Sequence, residues 1–207
     1  MRTLIITITT LISSLTFAQT TFDQEMNQAF SDWKIGNQAG IEAFQKVQKN
    51  NQDNWIPKYY VAFIQTLQSF EGSDQNLRQN LIDDARVLIH QLEYSNPNNP
   101  EILNLKAMNL TSEIVLNPMA NGMQLIDDVN SIYAKSILLN PTNPRSLLGK
   151  AEFNINASKF IGGDTTNDCK AVKNALVLFG SEKPAKFEPN WGKERAENLL
   201  KNECKNQ

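Results

Sequence analysis

Histidine is nearly absent from this chain: His90 is the single one in 207 residues. A site built on paired histidines is therefore excluded. The lone imidazole has no cysteine near it in sequence with which to share a metal or a proton relay. Between Ile89 and Gln91 it reads as a surface or half-buried helix residue. A charge excess is lacking too, since the formal net charge is −2. Nucleic acid calls for a basic surface against its phosphates, so that partner class is excluded. No apolar run reaches the ~20 residues that span a bilayer. Strand-like alternation, low-complexity linkers, a phosphate-loop motif and a calcium-loop motif are all missing. Cysteine is scarce, with only Cys169 and Cys204.

What is present begins with "MRTLIITITTLISSLTFA", a short positive start, an apolar β-branched run and small residues near its end. This pattern predicts a secretory signal peptide over residues 1–18, cleaved between Ala18 and Gln19. No cysteine follows the cleavage site, so no lipid attachment is expected. The mature chain, 19–207, is expected to be one domain, periplasmic or secreted, with no membrane insertion after cleavage. A chain of this length buries roughly 70% of its unfolded surface, so a core needs no metal and no dense disulfide framework.

The strongest internal signal is a repeat. "LIDDARVLIHQLEYSNPNNPEILNLKA" (81–107) aligns with "LIDDVNSIYAKSILLNPTNPRSLLGKA" (125–151) at an offset of 44. A period in the forties points to stacked helical pairs. Pro97 and Pro141 each stop a helix. Asn99 and Asn143 are placed to cap the next one, and Pro100 and Pro144 follow at its first position, where a missing N–H costs nothing. Asn54, ahead of Pro57, is a weaker copy, and a fourth corner is expected at "EPNWGKERAENLL" with Asn190 as cap. Small residues recur at Ala62, Ala107 and Ala151, where a neighbouring helix can approach closely. The helices before the corners share a face: Ala85, Ile89, Leu92; Val129, Tyr133, Ser136; Val172, Leu176, Phe179. Helices are predicted over 22–34, 38–49, 55–70, 74–95, 100–116, 121–139, 144–160, 168–180 and 191–204, with turns at Gly72, at 118–122 and at Gly162-Gly163.

These features resemble the tetratricopeptide (TPR) family, over most of residues 38–203. The period departs from that family's ~34 residues, and HEAT and armadillo repeats match it better, but the proline-terminated second helix favours a TPR-like unit. In order, "NPM", "NPRSLLG", "FIGGD" and "PNWGKE" also look like a set of exported bacterial TPR-like proteins. The resemblance implies an all-α fold of antiparallel helix pairs, stacked as a short right-handed solenoid. In such arrays the first helix of each pair faces the concave surface. Carried over by register, this selects Tyr59, Phe63, Asn104, Met108, Thr111, Arg145, Leu148 and Glu152 as a partner-binding groove.

Residues that carry chemistry are few. Asp83-Asp84 and Asp127-Asp128 recur at the repeat offset, but adjacent helical residues point about 100° apart and converge on no ligand. Their early place in a helix suits the dipole instead. The loop "IGGDTTNDC" (161–169) reads as a turn, with Asn167 or Asp168 capping the next helix. The sequons at Asn109 and Asn156 fall inside helices and are read as unmodified, with Asn109 expected on a solvent-facing side. The aromatics Trp55, Tyr59, Tyr60, Phe63 and Phe70 read mostly as core. Cys169 opens one helix and Cys204 ends the next. An even count in an oxidising compartment favours a disulfide, and antiparallel packing brings the two together; two free thiols are the alternative.

The leading expectation is a non-enzymatic binding or scaffold module that holds a peptide or protein partner, with no cofactor and no metal. The alternatives are a small-ligand binder or enzyme using the 161–169 loop with His90 or Asp168, and a purely structural subunit whose groove is filled by residues 22–34.

Overall fold

The structure, a computed structural model, describes residues 21–205. The predicted leader over 1–18 lies outside the described residues. Among the described residues all regular structure is helical: residues 21–35 (α1), Asn37–Asn50 (α2), Trp55–Ser69 (α3), Gln75–Ser95 (α4), Pro100–Leu116 (α5), Pro118–Leu139 (α6), Pro144–Ile161 (α7), Thr166–Ser181 (α8) and Lys193–Glu203 (α9). No helix among them is long and apolar enough to cross a membrane. Two compact units divide the chain within α3, one ending at Ile64 and the other running Gln65–Gln207.

In the first unit, α1, α2 and the start of α3 meet through aromatic rings. Phe44 stacks on Tyr60 with centroids 5.1 Å apart, and Tyr59 stacks on Phe63 at 5.8 Å. Phe30 meets both Phe44 and Tyr60 edge-on, the offset that ring quadrupoles prefer. These aromatics are core. At Gly40 a Cβ would come within 2.7 Å of the Trp33 Cβ, so only glycine lets α2 sit this close to α1. Asn54 Oδ1 accepts the Ile56 N–H (3.0 Å), starting α3 as the weak corner predicted.

The second unit is built on the two asparagine corners. The Asn96 N–H closes α4 on the Leu92 carbonyl (2.8 Å), and the Asn140 N–H closes α6 on that of Ser136 (3.1 Å). Three residues on, Asn99 Oδ1 accepts the Glu101 N–H (2.9 Å), while Asn143 Oδ1 accepts those of Arg145 (2.9 Å) and Ser146 (3.1 Å). Each corner thus satisfies orphan groups of two helix ends within a few residues. Consecutive helices from α4 to α9 pack on one another, and α5 also lies beside α7. The small and apolar positions of the repeat are buried: Ala107 and Ala151, Ala85, Ile89 and Leu92, Val129, Tyr133 and Ser136, Val172 and Phe179. Gly149 lies against the Tyr133 ring, where a Cβ would approach Cε1 to 2.5 Å.

Four local expectations are corrected. Helix α6 starts at Pro118 rather than 121, because Asn117 Oδ1 caps it through the Ala120 N–H (3.2 Å), so Gly122 is helical. Helix α8 starts at Thr166, and Asp164, not Asn167 or Asp168, accepts its first N–H (2.9 Å). Helix α9 starts after Gly192, whose φ of 116° suits glycine; Asn190 is exposed and caps nothing. Asn109 is 2% exposed rather than solvent-facing, and its Nδ2 donates to the Ile82 carbonyl (3.2 Å), tying α5 to α4. The far side of α9 carries Lys193, Glu197 and Lys201, all exposed.

Candidate groove between the seventh and ninth helices

Helices α7 and α9 border a cavity of about 440 Å³ lined by Glu152 and Asn156 from α7 and by Glu194, Arg195, Asn198, Leu199, Asn202 and Glu203 from α9. Steps of four residues put Glu152 and Asn156 in one row, and Glu194, Asn198 and Asn202 in another. Buried Ala196 and Leu199 hold α9 in the core with Leu148, Val172 and Phe179, and Leu199 also lines the cavity. Arg195 ties the walls together. Its Nε donates to Glu152 Oε2 (2.6 Å), and its Nη1 reaches Met108 Sδ of α5 (3.9 Å). Lys159 Nζ pairs with Glu203 (2.9 Å) and donates to Asn156 Oδ1 (3.1 Å). Burial pushes the Tyr133 phenol up, Arg195 opposes this and Glu152 adds to it. Tyr133 is therefore neutral beside this ion pair.

The eight residues predicted for a groove fall in different places. Tyr59 and Phe63 belong to the aromatic cluster of the first unit. Asn104 is buried, and its Oδ1 accepts the Ser136 hydroxyl (2.9 Å). Thr111 Oγ1 donates to the Ala107 carbonyl (2.8 Å). Leu148 is in the core of α7, α8 and α9. Arg145 is 4% exposed and bridges two carboxylates. Glu152 lines the cavity, and Met108 is joined to it through Arg195. Arg195, Asn198 and Asn202 were not singled out by sequence. A signal for Arg195 existed: it follows Asn190 at the interval by which Asn104 follows Asn99 and Leu148 follows Asn143.

Arg145 anchors a separate buried network. Its Nε donates to both oxygens of Glu101 (2.9 Å each), Nη1 and Nη2 to Glu182 (3.0 and 2.8 Å), and Nη1 also to the Trp191 carbonyl (3.4 Å). Asn143 Nδ2 donates to Glu101 (2.6 Å), and the guanidinium lies 5.9 Å over the Phe179 ring. Burial pushes the Glu101 carboxyl above its usual range, outweighing the opposing pull of Arg145 and Asn143. Burial also acts to lower the Arg145 guanidinium, but Glu101 and Glu182 prevail and raise it.

The remaining candidates do not converge. The His90 side chain is 64% exposed and lies 3.9 Å from Glu93. Asp168 accepts from Asn154 (2.9 Å), and no contact joins His90 to the 161–169 loop among the described residues. Asp164 accepts from the Thr166 hydroxyl (2.6 Å) and backbone, which hold it below the usual carboxylate range. Asp83 pairs with Arg86 (3.0 Å), and Asp127 and Asp128 are exposed. No group of three or more potential metal ligands gathers among the described residues.

No family model matches the chain, and no curated protein matches it in sequence. Among solved structures it is similar to the HusA haemophore from Porphyromonas gingivalis, with a TM-score of 0.76 at 16% identity. The match spans 91% of this chain and 94% of that one. At that identity the likeness is one of fold.

Proposed function

We propose that this chain is an exported binding module of the helical-repeat type, holding a peptide or protein partner without acting on it chemically. The observation that carries the reading is the α7–α9 groove, an open site lined by amides and carboxylates. Catalysis needs a nucleophile or base held by a second group and an orienting third; His90 and Asp168, the candidates for such roles, are engaged apart from one another. Export rests on the leader pattern of residues 1–18. The test is capture from an envelope fraction by the mature chain, compared with a variant carrying Arg195→Ala and Asn198→Ala. A specific partner retained by wild type and lost by the variant supports the reading; an empty wild-type capture overturns it.

A second reading, capture of a small ligand such as haem, draws on the fold likeness to a haemophore. A hemin titration followed by absorbance decides it, and His90→Ala tells whether the exposed imidazole takes part.

A further inference from the structure

We infer that the α7–α9 groove reads the main chain of an extended, basic peptide through a row of carboxamides, an inference that rests on the binding-module reading. On α9, Glu194, Asn198 and Asn202 succeed one another at four-residue steps and all line the cavity. Four residues of helix advance about 6 Å along the axis. In an extended peptide, residues that point the same way recur every two positions, at about 6.4–6.8 Å. A peptide laid along α9 therefore brings an equivalent backbone amide to each successive rung, with a mismatch small enough for flexible side chains to absorb. A carboxamide both donates and accepts, so one asparagine can satisfy the N–H and the C=O of a single peptide residue. Side chains of the peptide are not consulted in that exchange.

The rungs are available for it. Asn198 and Asn202 are exposed, and neither carboxamide is bonded to another described residue. Across the cavity, Asn156 receives Lys159 on its oxygen, which leaves its two N–H donors for a ligand. Other ligand classes fit worse. Among the described residues Leu199 is the one apolar side chain lining the cavity, whereas an amphipathic helix needs an apolar stripe to dock on and a flat apolar macrocycle needs apolar walls.

Charge refines the class. The lining holds Glu152, Glu194 and Glu203 against Arg195. Glu152 is neutralised by Arg195 and Glu203 by Lys159. Glu194 is left without a cationic partner among the described residues, at one end of the row. A lysine or arginine on the peptide meets it favourably; an acidic residue is repelled.

Fluorescence anisotropy with labelled ten-residue peptides of unstructured polar sequence tests this on the full mature chain. One peptide carries a central lysine, a second glutamate in its place, and a third is the lysine peptide methylated on alternate backbone nitrogens. The lysine peptide should bind. Backbone methylation, and separately the double variant Asn198→Ala/Asn202→Ala, should each weaken it roughly tenfold, the loss of about two hydrogen bonds. Glu194→Gln should abolish the preference for lysine over glutamate and leave the methylation effect intact. An unchanged melting curve confirms that the exposed asparagines were not needed for folding. Lack of binding by the lysine peptide, or equal binding of the methylated peptide or by the double variant, overturns the inference. If an envelope partner is captured equally by wild type and by the double variant, main-chain reading fails while the binding module stands. If wild type captures nothing, both fail.

Discussion

Glu101 and Arg145 occupy the same position of two successive repeats, 44 residues apart, and are bonded to each other through both carboxylate oxygens. Each comes two residues after its corner asparagine, so the pair sets the starts of α5 and α7 side by side. The guanidinium continues to Glu182, at the end of α8. Removing one partner of a buried ion pair leaves an uncompensated charge, at a cost of about 3–5 kcal/mol. Arg145→Met should lower stability to urea by roughly that amount. Adding Glu101→Leu should recover part of the loss, because it removes one of the two carboxylates stranded by the first change and leaves Glu182 as the other. A double variant no better than the single one would show that the carboxylate is not the source of the penalty.

The same pair sets a pH dependence. Burial holds the Glu101 carboxyl above the usual carboxylate range. A group whose pKa is raised on folding contributes stability fully below its unfolded value, and that contribution is lost as pH rises through the folded value. Wild type should therefore lose stability relative to Glu101→Gln as pH increases upward from about 4. Urea midpoints of the two proteins at stepped pH check the sign. A wild type that gains on the variant over this range would mean that Arg145 dominates burial.

Capping gives an unequal pair of effects. Asn99 accepts one N–H, whereas Asn143 accepts two and also donates to Glu101. Loss of an N-cap costs about 0.5–2 kcal/mol. Asn99→Ala should fall toward the low end of that range and Asn143→Ala at or above its top, with folding retained in both. Thermal melts that place the two variants together, or at wild type, would refute the assignment.

Where punctuation is chemical, the fold was legible in the sequence. In both strong corners the first asparagine–proline pair ends a helix and the second caps and starts the next. The starts of α8 and α9 were misplaced because Asp164 and Gly192 cap without the repeat's signature, and that of α6 because Gly122 made 118–122 read as a turn although Asn117-Pro118 is itself an asparagine–proline start. The site was less legible. A helical register names a face but not its depth, and at Arg145 that face meets Glu101 and Glu182 rather than solvent. Glu152 and Met108 lie near the groove, yet Arg195, which joins them, comes from α9, where the corner pattern is degenerate. Pairing across elements is a property of packing, and one helix's pattern does not contain it.

Packing variants separate register from exposure. Ala107 and Ala151 are buried where helices approach closely, so Ala107→Leu and Ala151→Leu should each cost about 1–3 kcal/mol by overpacking. Asn109→Leu should be of similar size, since it deletes the bond to the Ile82 carbonyl and places a larger group at a buried position. Denaturant titration of the three proteins provides the comparison. A near-neutral Asn109→Leu would return that side chain to solvent.

The final prediction concerns the end of the chain. Cys169, in the first turn of α8, and Cys204, the C-cap of α9, form a disulfide with Cα atoms 5.7 Å apart. Both are buried, in one cluster with Val172, Ala196 and Leu199. The bridge spans 35 positions, a closure that contributes roughly 3–4 kcal/mol in the chain-entropy model. The helix it fastens is short and would otherwise fray at the terminus. Because α9 supplies six of the groove's side chains, loosening it should act on binding as well as on stability. Non-reducing mass spectrometry of the denatured wild-type protein should find no alkylatable thiol. Cys204→Ser should lower the melting temperature and raise amide exchange in α9 while leaving α5 and α6 protected. Two alkylatable thiols in the wild type would dispose of the bridge, and equal exchange in α9 with and without it would show that packing alone holds the helix.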